Sequence, residues 1–153
     1  MISEGDTAPD FSLASDSGDT VSLSSLRGKT VVLYFYPKDN TSGCTTQACG
    51  IRDAWSEFES ARAVVLGVSP DSVASHEKFK GDFELPFTLL ADPDHSVAEA
   101  YGVWEQKSRD GRTYMGIVRS TFVIGPDGTV LKAMRNVEPA THAEDVLEVL
   151  AAA

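Results

Sequence analysis

Both cysteines of the chain fall in one stretch, Pro37-Lys-Asp-Asn-Thr41-Ser-Gly-Cys44-Thr-Thr-Gln-Ala-Cys49. The run before it, Thr30-Val-Val-Leu-Tyr-Phe-Tyr36, is β-branched and aromatic, and the residues after it repeat with helical spacing. Cys44 is therefore predicted in the first turn of a helix that leaves a buried strand. Unpaired backbone N–H groups and the positive end of the helix dipole meet there, and both favour thiolate over thiol. A thiolate so placed is a nucleophile. Taken singly, a cysteine is a small buried hydrophobe, and only the strand-to-helix placement sets Cys44 apart. Cys49 taken alone is unremarkable, and four intervening residues make a poor metal-ligand spacing. His76, His95 and His142 are scattered without a local pair, so they are expected at the surface and no zinc site is expected.

Stepping outward from this segment, the helix should carry Cys44, Ala48, Ile51, Trp55 and Phe58 on one apolar stripe against a sheet, leaving Cys49 with Arg52, Asp53 and Ser56 on the polar side. Short extended pieces are predicted at 11–13 and 21–23, the central strand at 30–36 with Pro37 closing it, and a second strand at 63–68. Ser69-Pro70-Asp71-Ser72 offers a turn and an N-cap for a helix through about Phe83. A third strand at 87–90 ends at Asp92-Pro93-Asp94, before a short helix near Tyr101. Strands at 120–124 and 129–133 flank Gly125-Pro-Asp-Gly128, which is a turn and, lying between two strands, no phosphate loop. Thr141 and Glu144 form a capping-box pattern ahead of Val146, Leu147, Val149 and Leu150, the apolar face of a last helix. Alternating strands and helices ending in a hairpin and a helix predict an α/β fold with a mixed central sheet flanked by helices.

The chain has 153 residues, 42% of them hydrophobic, enough for one core and not for two, so a single domain over 1–153 is expected. Its formal net charge of -10 opposes phosphate backbones and anionic lipid, which argues against nucleic acid and membrane partners. The first twenty residues lack the basic start and apolar run of a secretory signal, so a soluble cytoplasmic protein is expected. In such a reducing compartment two close cysteines are a chemical pair rather than a disulfide framework.

At this point the sequence resembles the peroxiredoxins, and in particular their Q-type, or bacterioferritin-comigratory-protein, branch. Pro37, Thr41 and Cys44 match the family's P-x-x-x-T-x-x-C pattern, and Cys49 stands at that branch's second-cysteine spacing. Gly116-Ile-Val-Arg119-Ser-Thr-Phe-Val-Ile124 is similar to its arginine-bearing strand, and the likeness runs from Gly5 to the final helix. The resemblance implies a thioredoxin-like fold with an N-terminal extension. It also implies a peroxidase acting on hydrogen peroxide and organic hydroperoxides without metal, haem or flavin. Cys44 would be the peroxidatic thiolate, Thr41 a peroxide-binding hydroxyl, Arg119 the cation beside the sulfur and Pro37 a shield for the pocket. Cys49 would resolve the sulfenic acid as a Cys44–Cys49 disulfide, recycled by thioredoxin or a similar dithiol, with the protein a monomer. Two residues depart from the pattern: Ser42 stands where the family usually has Pro, and Gln47 where it often has Glu, which removes one acidic contact.

Read without the resemblance, Thr41 is the helix's capping neighbour and Arg119 an edge-strand solubility residue. A thioredoxin-type oxidoreductase acting on protein disulfides is the alternative activity. Against it, the cysteines are not in C-x-x-C and no proline immediately precedes 121–124. A non-catalytic interaction module whose cysteines form a small staple is the third possibility; so short a loop would bring little stabilisation.

Overall fold

A computed structural model describes residues 2–152. The chain runs β1 (Ser12–Ser15), β2 (Thr20–Ser22), a 3-10 turn (Leu23–Leu26), β3 (Thr30–Phe35), α1 (Ser42–Asp53), α2 (Trp55–Ser60), β4 (Ala63–Ser69), α3 (Val73–Phe83) and β5 (Thr88–Ala91). It continues with α4 (Ser96–Ala100), β6 (Trp104–Arg109), β7 (Arg112–Ile117), β8 (Ser120–Ile124), β9 (Val130–Arg135) and α5 (His142–Ala152). Seven strands make one mixed sheet in the order β2-β1-β5-β4-β3-β8-β9. β3 and β4 pair in parallel from Thr30 opposite Ala63 to Phe35 opposite Val68, and β8 pairs antiparallel on the other side of β3.

The central position of β3 explains why its sequence is apolar or aromatic at every residue after Thr30. Side chains alternate across a strand, so Val31, Leu33 and Phe35 enter one core while Val32, Tyr34 and Tyr36 enter the other. The first core lies with Phe11, Tyr101 and Phe122; the second lies under the helices, with Cys44, Ala48, Ile51, Phe58, Phe79 and Val146. Cys44 is thus part of the second core as well as of a helix start.

The single helix expected through Phe58 is interrupted at Ala54, where φ -101° and ψ 16° leave the helical region and separate α1 from α2. The apolar stripe survives the break, because Trp55 still packs on Phe58 and Phe87. The hairpin after β8 turns where expected, with Gly128 at φ +88°. That conformation suits glycine, and a Cβ there would also run into the Arg27 guanidinium. At α5 the Thr141 hydroxyl donates to the Asp145 carboxylate at 3.0 Å, in place of the expected partnership with Glu144.

The β6–β7 hairpin had no counterpart in the sequence reading. It forms a separate two-stranded sheet, and most of its residues are exposed, so no apolar periodicity marks it. Its presence corrects the placement of Arg119, which lies in a two-residue break between β7 and β8 and not on a strand. The break is held from outside: the Val118 N–H donates to the Val103 carbonyl at 2.8 Å, and the Arg119 carbonyl accepts from the Val137 N–H at 3.1 Å.

Candidate active site

Cys44 occupies the third residue of α1, after Thr41 as N-cap, and the first helical acceptor bond is Thr45 N–H to the Thr41 carbonyl at 2.9 Å. The Gly43 and Cys44 N–H groups precede that bond, so the helix's positive end surrounds the sulfur. Cys44 is 2% exposed, so its sulfur is closed to all but a small group. Cys49 is half-buried one turn and a half further along α1, and both cysteines are free.

Arg119 crosses from the far side of the chain to the sulfur. Its Nη1 donates to Cys44 Sγ at 3.3 Å and to Gln47 Oε1 at 2.7 Å, one N–H for each acceptor. Gly43 permits the approach, since a Cβ there would lie 3.1 Å from Arg119 Nη2 and 3.7 Å from the Pro139 ring. The contact that a Glu at position 47 would make is therefore made by the neutral amide of Gln47. Lys107 on β6 is a second cation near the site. Its pKa is lowered by partial burial and by the Arg119 charge, with Cys44 opposing the shift.

Thr41 is exposed, and its hydroxyl donates to the Lys38 carbonyl at 2.8 Å, which leaves its oxygen lone pairs available to accept. Pro37, half-buried, stands two residues beyond the end of β3 and starts the loop that carries Thr41. That loop is anchored by Asp39, a residue the sequence reading did not single out. The Asp39 carboxylate accepts from Tyr36 Oη at 2.5 Å and from Ser75 Oγ at 2.8 Å, and it lies 2.7 Å from His76 Nδ1. The Asp39 N–H donates to Asp71 at 2.7 Å. Because the Leu90 carbonyl 2.9 Å from His76 Nε2 can only accept, that nitrogen carries a proton. Asp39, Asp71 and His76 bring ligand atoms within 4.8 Å of one another, but each is engaged in these hydrogen bonds, and a cation would have to displace them.

The expectation of surface histidines fails for His76 and His142, both of which have no exposed surface. The signal was present in the spacing. His76 stands three residues before Phe79, and His142 four before Val146, which puts each on its helix's inward stripe. His142 meets Gln47 Nε2 through Nδ1 at 3.2 Å and Thr121 Oγ1 through Nε2 at 2.7 Å. Burial lowers its pKa from 6.5 to about 4, with the Arg119 charge adding to the effect and Asp145 opposing it. Tyr34, also fully buried, packs on His142 with ring centroids 5.5 Å apart, and burial together with the Cys44 charge raises its pKa well above 10.0. His95 is stacked on Trp104 at 3.9 Å, away from these contacts, and Trp104 packs on the first core.

A sequence profile of the AhpC/TSA family matches residues 4–133. Peroxiredoxin Bcp of Bacillus subtilis is 50% identical over 149 residues, covering 97% of this chain and 95% of that protein. Among solved structures, peroxiredoxin Q of Xanthomonas campestris superposes with a TM-score of 0.88 at 40% identity, covering 93% of this chain and 90% of that one. A mutant of PrxQ from Xylella fastidiosa superposes with a TM-score of 0.93 at 37% identity, covering 99% and 97%.

Proposed function

The chain belongs to the AhpC/TSA family, among its Bcp or Q-type peroxiredoxins, and is a thiol-dependent peroxidase; within that activity we propose that Cys44 is the sulfur that attacks peroxide. The thiolate forms a bond to one peroxide oxygen, the O–O bond breaks, and the departing oxygen takes a proton to leave as water or an alcohol. The sulfur is left as a sulfenic acid. The observation that carries this reading is the Arg119 Nη1 to Cys44 Sγ contact of 3.3 Å at the open end of α1. One N–H on the sulfur favours the anion, and the remaining N–H groups of the guanidinium supply donors for charge developing on the leaving oxygen.

Thr41, with its own hydrogen engaged by Lys38, accepts from the peroxide O–H and so turns the reacting oxygen toward the sulfur. Pro37 shapes the loop behind it. Cys49 then attacks the sulfenic sulfur, water is expelled, and a Cys44–Cys49 disulfide forms. A dithiol reductant of thioredoxin type restores both thiols by exchange. We further propose that the chain works as a single domain and a monomer in a reducing cytoplasm, where two cysteines stay available as thiols. No helix among the described residues is long and apolar enough to cross a membrane. Stopped-flow peroxide consumption with a thioredoxin system tests the assignment. Cys44→Ser is expected to abolish turnover with the fold intact, and substantial residual turnover ends it.

A further inference from the structure

We propose that His142 is a positioning residue for the peroxidatic site: as a hydrogen-bond acceptor at Nδ1 it holds the Gln47 amide in the one orientation that lets Gln47 hold Arg119 on the Cys44 sulfur. This inference rests on the reading of Arg119 as the thiolate's cation.

Which groups can accept fixes the orientation of each side chain. A guanidinium has no acceptor, so the Gln47 atom 2.7 Å from Arg119 Nη1 must be its oxygen. The Gln47 NH2 then faces His142, 3.2 Å from Nδ1, and that nitrogen must offer a lone pair. The imidazole proton is thereby placed on Nε2, which donates to Thr121 Oγ1 at 2.7 Å. Gln47, His142 and Thr121 have no exposed surface, so no solvent substitutes for a lost partner, and a buried amide left unpaired is costly.

A proton on Nδ1 would set donor against donor and favour the flipped amide. That amide would present NH2 to Arg119 and release the guanidinium from its acceptor. Most of the surroundings disfavour a second proton on the ring. Tyr34 on β3 packs on the imidazole, Thr121 comes from β8, and the Arg119 charge stands beyond Gln47 of α1; only Asp145, on α5 itself, favours a cation. His142 also opens α5, where the helix's positive end opposes a second proton. The lowered pKa agrees with this arrangement.

Two measurements test it. In the reduced parent protein, long-range 1H–15N correlation of the histidine rings near neutral pH is expected to show His142 neutral with its proton on Nε2. A proton on Nδ1, or an imidazolium, overturns the inference. The second is kinetic: His142→Phe keeps the ring and removes both nitrogens, and is expected to slow reaction with hydrogen peroxide about tenfold. In a Gln47→Ala background the same change should cost less than about twofold, because the link it serves is already gone. Equal losses in both backgrounds, or no loss in either, overturn it. Should His142→Phe fail to fold, the tautomer measurement on the parent still decides. If Arg119→Met leaves the rate with peroxide unchanged while His142 shows the Nε2–H form, the reading of Arg119 has failed and not the geometry of His142.

Discussion

Oxidation of the reduced protein by one equivalent of peroxide should open α1. Five helical residues turn about 140° beyond a full circle and rise about 7.5 Å, which separates the Cα atoms of Cys44 and Cys49 by roughly 8.7 Å, whereas a disulfide needs less than about 7 Å. With both residues inside Ser42–Asp53, the bond cannot form until the first turns unwind. Opening from Thr41 past Cys49 removes roughly half a dozen backbone hydrogen bonds, starting with Thr45 N–H to the Thr41 carbonyl. At about 1 kcal/mol each, their net worth is about 6 kcal/mol, equivalent to amide protection of roughly ten-thousandfold in the reduced state. Hydrogen exchange should show that protection over 45–53 collapsing after oxidation, while β3 and β4 amides are unchanged. Cys49→Ser, which cannot close the bond, should retain most of its protection after the same treatment. If oxidised and reduced parent protein protect this segment equally, no Cys44–Cys49 bond forms and Cys49 is not the resolving residue.

Arg119→Met keeps similar bulk but removes the donors on the sulfur and on Gln47; peroxide reaction should slow by a few tens to about a hundredfold. An unchanged rate would return Arg119 to a structural role. Gly43→Ala inserts a Cβ 3.1 Å from Arg119 Nη2, so it should slow the first oxidation severalfold although the helix itself gains up to about 1 kcal/mol; faster oxidation would contradict the close approach. Stability should fall as pH drops from 6.5 to about 4, because the unfolded chain protonates His142 before the folded one does. Urea unfolding should attribute about 3 kcal/mol at most to this group, and His142→Phe should flatten that part of the profile relative to the parent.

The elements that sequence patterns made legible are those buried on a regular period. β3 is apolar or aromatic from Val31 on because it is covered on both faces, and the α1–α2 stripe keeps its period across the break at Ala54. β6 and β7 were not legible because Glu105, Gln106, Ser108, Arg112 and Thr113 are exposed and carry no core pattern. Missing that hairpin also put Arg119 on a strand, since its true setting depends on partners at Val103 and Val137 that are distant along the chain. Cys44 and Cys49 could be picked out by type and position, and Thr41 and Pro37 by resemblance. Asp39, His76 and His142 escaped because a lone charged or polar residue is read as surface unless helical spacing is followed inward.

The residues that escaped explain how a weak helix can carry a nucleophile. Ser42-Gly-Cys-Thr-Thr-Gln-Ala-Cys-Gly50 contains two glycines and two β-branched threonines, so its own helical preference is low. Contacts from elsewhere must hold it: Asp39 ties the preceding loop to α3, Ala48 and Ile51 fill the second core, and Gln47 is gripped between Arg119 and His142. Such a segment is ordered while Arg119 has a thiolate to meet and intrinsically ready to open once that partner is gone. A helix of strong formers would hold a thiolate equally well and resist the unwinding that a Cys44–Cys49 bond would need. Low local propensity combined with strong tertiary anchoring is therefore what the two steps jointly require, and each anchor offers a separate handle on the balance between them.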